Sequence, residues 1–154
     1  MFEGRVETAQ AVRAGRSAKL EGAANQKANR TISLIYANQN RNLARSLEFA
    51  RADFEVRQDV YTYDALAWAL YRNKQYAEAK TAMAEALKLG TPEPMFYYHA
   101  GVIATAGGRT QEGQAMLRKA LALNPNFAFP QADDARRRLA GDSASATNSQ
   151  IVIH

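Results

Sequence analysis

The stretch from Tyr63 to Ala79 reads YDALAWALYRNKQYAEA, with aromatic residues set among alanines and leucines. Its rings are either a binding surface or the inside of a packed helix pair. Tyr63, Leu66 and Leu70 fall on one helical stripe. The polar run from Arg72 to Gln75 interrupts it, and Tyr76, Met83 and Leu87 continue on a second stripe. Apolar residues at such steps give each helix one face towards a core.

A shift of 34 residues lays this stretch on another. Tyr63 falls on Tyr97, Leu66 on Ala100, Ala67 on Gly101, Glu78 on Glu112 and Ala79 on Gly113; Met83, Ala86, Leu87 and Leu89 fall on Leu117, Ala120, Leu121 and Leu123. The matches share one register without a gap, so the chain carries a repeated helix hairpin. In the second copy the break is TAGGRT, residues 105–110, whose glycines terminate helices. Two antiparallel helices approach closely only where side chains are small. Ala67 with Ala79, and Gly101 with Gly113, sit where the crossing falls. Each glycine gives up about 1 kcal/mol of helix propensity relative to alanine; close packing is the expected compensation, and a second repeat that is merely looser is the alternative.

The pattern resembles the tetratricopeptide repeat, whose signature runs W-x2-L-G-x2-Y, A-x3-F and P. Tyr63, Leu66, Ala67 and Leu70 match its first group and Ala79, Met83 and Ala86 its second; Tyr97, Ala100, Gly101 and Ala104, then Gly113, Leu117, Ala120 and Pro125 repeat the match. The first copy departs at its end, where Pro92 comes one residue late. An earlier, degenerate unit places Ile32, Ser33 and Tyr36 on Leu66, Ala67 and Leu70; an offset of 33 then pairs Ser46 with Ala79 and Phe54 with Leu87. The block DVYTYDALAWALY, with the later HAG, is similar to the C-terminal part of longer bacterial proteins of this kind.

The resemblance implies an all-α fold, an α-solenoid of antiparallel helix-turn-helix repeats with a C-terminal capping helix. We divide the chain into a basic N-terminal segment at 1–25, weakly helical or a partial repeat; a degenerate repeat at 26–59; repeats at 60–93 and 94–127; a capping helix at 128–140; and a flexible tail at 141–154. Pro130 suits the start of the cap, and Ala132, Ala135 and Leu139 supply its apolar stripe. The tail is small and polar, and its last residues, IVIH, are read as unstructured.

Catalytic chemistry finds no support. The chain has no cysteine, which excludes disulfides, thiol nucleophiles and thiolate metal sites. Its only histidines are His99 and His154, and no Asp/Glu cluster sits at ligand spacing, so neither metal nor cofactor is expected. The glycines of AGGRT lack both the strand and the lysine of a phosphate loop. Asp133 and Asp134 favour a helix N-terminus electrostatically. No apolar leader or membrane-length stretch occurs, so a cytoplasmic location is the default reading, provided no upstream signal precedes Met1.

In the family the first helix of each unit lines a groove that takes extended peptides. Position by position, the resemblance assigns Lys27, Arg30, Leu34 and Asn38; Tyr61, Asp64, Ala65, Trp68, Tyr71 and Arg72; and Met95, Tyr98, His99 and Val102. Tyr, Trp and Arg among them suit an interface, and Tyr98 and His99 are expected to be exposed. For Trp68 a buried contact between repeats is the equal alternative. The family's Lys/Asn/Arg clamp for a terminal carboxylate is missing: Arg30 and Leu34, Ala65, and Met95 with His99 stand at its positions. The expected role is a non-enzymatic scaffold for a protein or peptide partner. A basic nucleic-acid binder is a second reading, since 20 Lys and Arg outnumber 15 Asp and Glu and Arg136 to Arg138 are consecutive; that run is more often a solvated face. Self-association through repeat ends or IVIH is a third.

Overall fold

The computed structural model describes residues 28–149, and among them all regular structure is helical. Residues 28–38 form α1. It is followed by α2 (Leu43–Val56), α3 (Val60–Arg72), α4 (Tyr76–Leu87), α5 (Pro94–Ala106), α6 (Thr110–Leu123) and α7 (Phe129–Ser149). The N-terminal segment, Lys27 and IVIH lie outside the described residues.

The repeat is written first in the turns. Asn40, Lys74 and Gly108, spaced by 34, have left-handed φ of 52°, 63° and 78°. At each turn the next N–H, of Arg41, Gln75 or Arg109, bonds back to the carbonyl of Tyr36, Leu70 or Ala104 at 3.2, 2.9 and 2.9 Å. This is the closure that satisfies the last carbonyls of a helix while reversing the chain. Helix starts are capped too. Asp59 accepts from the N–H of Thr62 at 2.9 Å, and Pro94 opens α5 behind Glu93, which accepts from the N–H of Met95.

The small positions form the crossings. Gly101 and Gly113 lie so close that a β-carbon on Gly113 would come within 2.8 Å of the Gly101 carbonyl oxygen. Ala67 and Ala79 are fully buried in the same register, and Ser46 Oγ donates to the Ser33 carbonyl at 2.8 Å between α1 and α2. Polar serines are tolerated there because their hydroxyls are satisfied locally. One apolar cluster runs from Leu47 and Ala50 through Leu70 and Met83 to Phe96 and Ile103. Another gathers Ala37, Trp68, Tyr98, Val102, Leu117 and Ala135.

Two details differ from the sequence reading. Tyr76, placed on an apolar stripe, is 41% exposed at the start of α4 and leans on Tyr71 with centroids 5.9 Å apart. The terminal helix does not stop near residue 140 but runs through Ser149, so residues 141–149 of the expected flexible tail are helical. Once Ala132 and Ala135 dock the first turns, each added residue gains a backbone bond without a new nucleus, and no proline follows to end the helix.

Candidate functional site

The residues assigned to a groove are first of all used inside the molecule. Three polar contacts join α1, α3, α5 and α7 in succession. Trp68 Nε1 donates to Asn38 Oδ1 at 2.9 Å, His99 Nδ1 lies 2.8 Å from Asp64 Oδ1, and the Tyr98 hydroxyl donates to Asp134 Oδ2 at 2.8 Å. Each spans about one repeat in sequence. The rings stack along the same line. Trp68 and His99 lie 4.2 Å apart at 18°, and Trp68 and Tyr71 lie 5.0 Å apart at 26°.

This arrangement corrects the expected exposure of Tyr98 and His99. Both are buried, at 5% and 1%, and Asp64, Ala65, Trp68 and Val102 are buried with them. The reason is the approach of neighbouring first helices, which covers the central face of α5 from both sides. For Trp68 the buried contact between repeats is the one realised.

The other assigned residues divide into two places. Arg30 and Tyr61 meet at the start of α3, with the guanidinium 5.6 Å from the Tyr61 ring centroid and the ring edge-on to Phe96. Tyr61 is 46% exposed there. Met95 and Leu34 are half-buried against the second apolar cluster.

At the far end of α3 the structure opens a cleft of about 270 Å³. Trp68, Tyr71 and Tyr98 face it beside Asn38 and Arg72, and Pro130, Gln131, Asp134, Arg137 and Arg138 of α7 close its other side. The α7 residues were missed as groove residues in the sequence, where Arg137 and Arg138 stand out only in the basic run of the nucleic-acid reading, and Asp134 and Arg138 as an i, i+4 pair on one helix face.

Charge in the cleft is organised around Asp134. Its carboxylate accepts from Arg138 Nε at 2.5 Å and from Tyr98, while Arg137 stands 3.7 Å away. Burial raises the Asp134 carboxyl, but the Arg138 and Tyr98 hydrogen bonds outweigh it and hold the group below its ordinary value. Burial, then the bond to Asp134, pushes the Tyr98 phenol far above its usual range. For Arg138 burial acts downward and is overcome by Asp134, so the guanidinium is held charged.

A larger, apolar groove of about 520 Å³ lies between α2, α3 and α4, lined by Phe54, Tyr63, Leu66, Leu70, Ala77 and Ala82 among others. A groove of about 190 Å³ lies further along between α4, α5 and α6, with Met116 at the position that Ala82 holds in the first. Among the described residues no three His, Cys, Asp or Glu converge to hold a metal, and no helix is long and apolar enough to cross a membrane.

Comparison with known proteins agrees with this geometry. The family model of the tetratricopeptide repeat matches residues 60–89 and 96–127, which hold α3 with α4 and α5 with α6. No curated protein matches the chain. Repeats of this kind generally mediate protein–protein interaction and are generally not enzymes. With its paired helices, its turns spaced by 34 residues and its small-residue crossings, the chain carries tetratricopeptide repeats at residues 60–89 and 96–127.

Proposed function

We propose that this protein is a non-catalytic scaffold that binds a peptide segment of a protein partner across the face formed by α1, α3, α5 and α7. The observation that carries this reading is the cleft in which Tyr71 and Arg72 meet Gln131, Arg137 and Arg138 over a floor of Trp68 and Tyr98. Aromatic rings beside guanidinium groups in a concave site suit a peptide, because such side chains supply most interface energy. Arg30 and Tyr61, with Met95, extend the same face towards the N-terminal end of α3 and α5. Asp64 and His99 set the floor's position and act indirectly.

The rival reading, a nucleic-acid surface built on Arg136 to Arg138, has weaker support. Arg136 bonds to Asp133, to the Pro125 carbonyl and to Asn126, and Arg138 is committed to Asp134. Phosphate tracks need cations free to neutralise a backbone.

The test is binding of a partner captured from the native cell extract, measured with purified chain. Tyr71→Ala combined with Arg137→Glu is expected to abolish binding while circular dichroism stays helical. Wild-type affinity in that variant would overturn the cleft assignment, and loss in Tyr61→Ala alone would move the site to the start of α3.

A further inference from the structure

We infer that the cleft between α3 and α7 takes an acidic segment of a protein partner, with a carboxylate of that segment seated on the guanidinium of Arg72. This rests on the reading of the cleft as a peptide site and names the chemistry it selects.

Arg72 carries the argument. Among the described residues no ion pair or hydrogen bond engages it. Its guanidinium lies over the Trp68 ring, 5.8 Å from the centroid, and its Nε is buried without a partner. A half-buried cation that leaves a donor unsatisfied is costly to hold, and such groups are normally completed by an acceptor. The planar fork fits a carboxylate with two parallel bonds, and the indole beneath fixes the plane in which an acceptor must arrive.

The surroundings agree in sign. Three arginines line the cleft against one aspartate, a surplus of two positive charges. Asp134 makes no ion pair or hydrogen bond with Arg72; its Oδ2 accepts from Tyr98 and Arg138, and its Oδ1 faces Arg137. Arg137 is 69% exposed and only loosely paired at 3.7 Å, so it remains available to a second acid. Tyr71, half-buried beside them, offers its ring to an apolar neighbour of the bound acid. An acidic protein segment is favoured over a nucleic acid because the arginines of the cleft sit in a pocket of about 270 Å³ walled by Trp68, Tyr71 and Tyr98, which suits a short segment and not a long phosphate track.

The experiment is selection of short random peptides displayed on phage against the full chain. Affinities of the selected peptides are then measured by the emission of Trp68, the only tryptophan. The expected result is enrichment of Asp and Glu next to an apolar residue, with saturable change in Trp68 emission. Arg72→Gln and Arg137→Gln should each weaken binding by about fivefold or more, as for loss of an interfacial charge pair, with smaller dependence on salt in both. Arg137→Gln changes an exposed side chain and leaves the fold intact, so its effect stands even where Arg72→Gln perturbs packing. Selected peptides without acid enrichment, yet sensitive to Tyr71→Ala, would overturn this inference and leave the peptide cleft standing. Selected peptides indifferent to Tyr71, Arg72 and Arg137 would overturn both. A single-stranded oligonucleotide that binds more tightly than the acidic peptides, and loses affinity in Arg72→Gln, would overturn the inference in favour of phosphate.

Discussion

Asp64 and His99, one repeat apart on neighbouring first helices, meet carboxylate to ring nitrogen at 2.8 Å in a site that is closed to solvent. A carboxylate only accepts, so the His99 Nδ1–H donates. Asp64→Ala leaves a buried donor without a partner, because Nε2 on the other side of the ring also has none. The expected cost is about 1–3 kcal/mol of stability, read as a lower melting temperature with helical content retained below the transition. A melt like that of wild type would show that the pair contributes nothing.

Gly113→Ala should destabilise despite its better helix propensity. Alanine gains about 1 kcal/mol in a helix, but overpacking costs about 1–3 kcal/mol, and here the new β-carbon meets the backbone carbonyl of Gly101. Gly101→Ala likewise meets a backbone carbonyl, that of Gly113 at 2.9 Å, besides the buried Leu117, so it should destabilise as well. Thermal or urea denaturation of the two variants checks this, and a wild-type midpoint in either would contradict the crossing geometry.

Lys74 holds the left-handed turn position that Gly108 holds one repeat later. A side chain costs roughly 1–2 kcal/mol there, against about 0.5–1 kcal/mol of entropy that glycine loses on folding. Lys74→Gly should therefore be neutral to stabilising by a fraction of a kcal/mol, and Gly108→Lys destabilising. A clear loss in urea midpoint for Lys74→Gly would count against the shared turn.

Stability should fall at both ends of the pH scale, for separate reasons. Asp59 and Asp134 are lowered from their ordinary 3.8, so their contribution is present above that value and is lost as pH falls through their folded values. Burial opposes both shifts; the Thr62 hydrogen bonds prevail at Asp59, and those of Arg138 and Tyr98 at Asp134. Tyr98 is raised from 10.0, so its contribution is present below that value and is lost as pH climbs above it. Urea midpoints against pH should show Asp134→Asn flattening the acid limb and Tyr98→Phe the alkaline limb. Limbs unchanged in these variants would remove the Tyr98–Asp134 contact from the account.

The hairpins were legible because their causes are local. Small residues at 67, 79, 101 and 113 and the glycines of TAGGRT mark crossings and turns directly in the sequence. Trp68, Tyr98 and His99 were harder. Helical spacing tells which side of α3 and α5 they occupy, but not how near the next first helix comes, and that distance decides between exposure and burial. Asp134 and Arg138 were hidden for a related reason. Their role depends on how α7 lies against α5, which no periodicity encodes.

The contacts Asn38–Trp68, Asp64–His99 and Tyr98–Asp134 also give the array a mechanical character. Apolar surfaces slide past one another with little change in energy, whereas a directional bond breaks over a short extension. Widening the curvature to admit a bulky guest thus proceeds in clicks rather than as smooth stretching. The Tyr98–Asp134 carboxylate is 26% exposed against 7% for Asp64, and Asn38 is exposed as well, so competing solvent lets the outer two rungs yield before the middle one. The coil unlatches from its ends and holds at Asp64–His99.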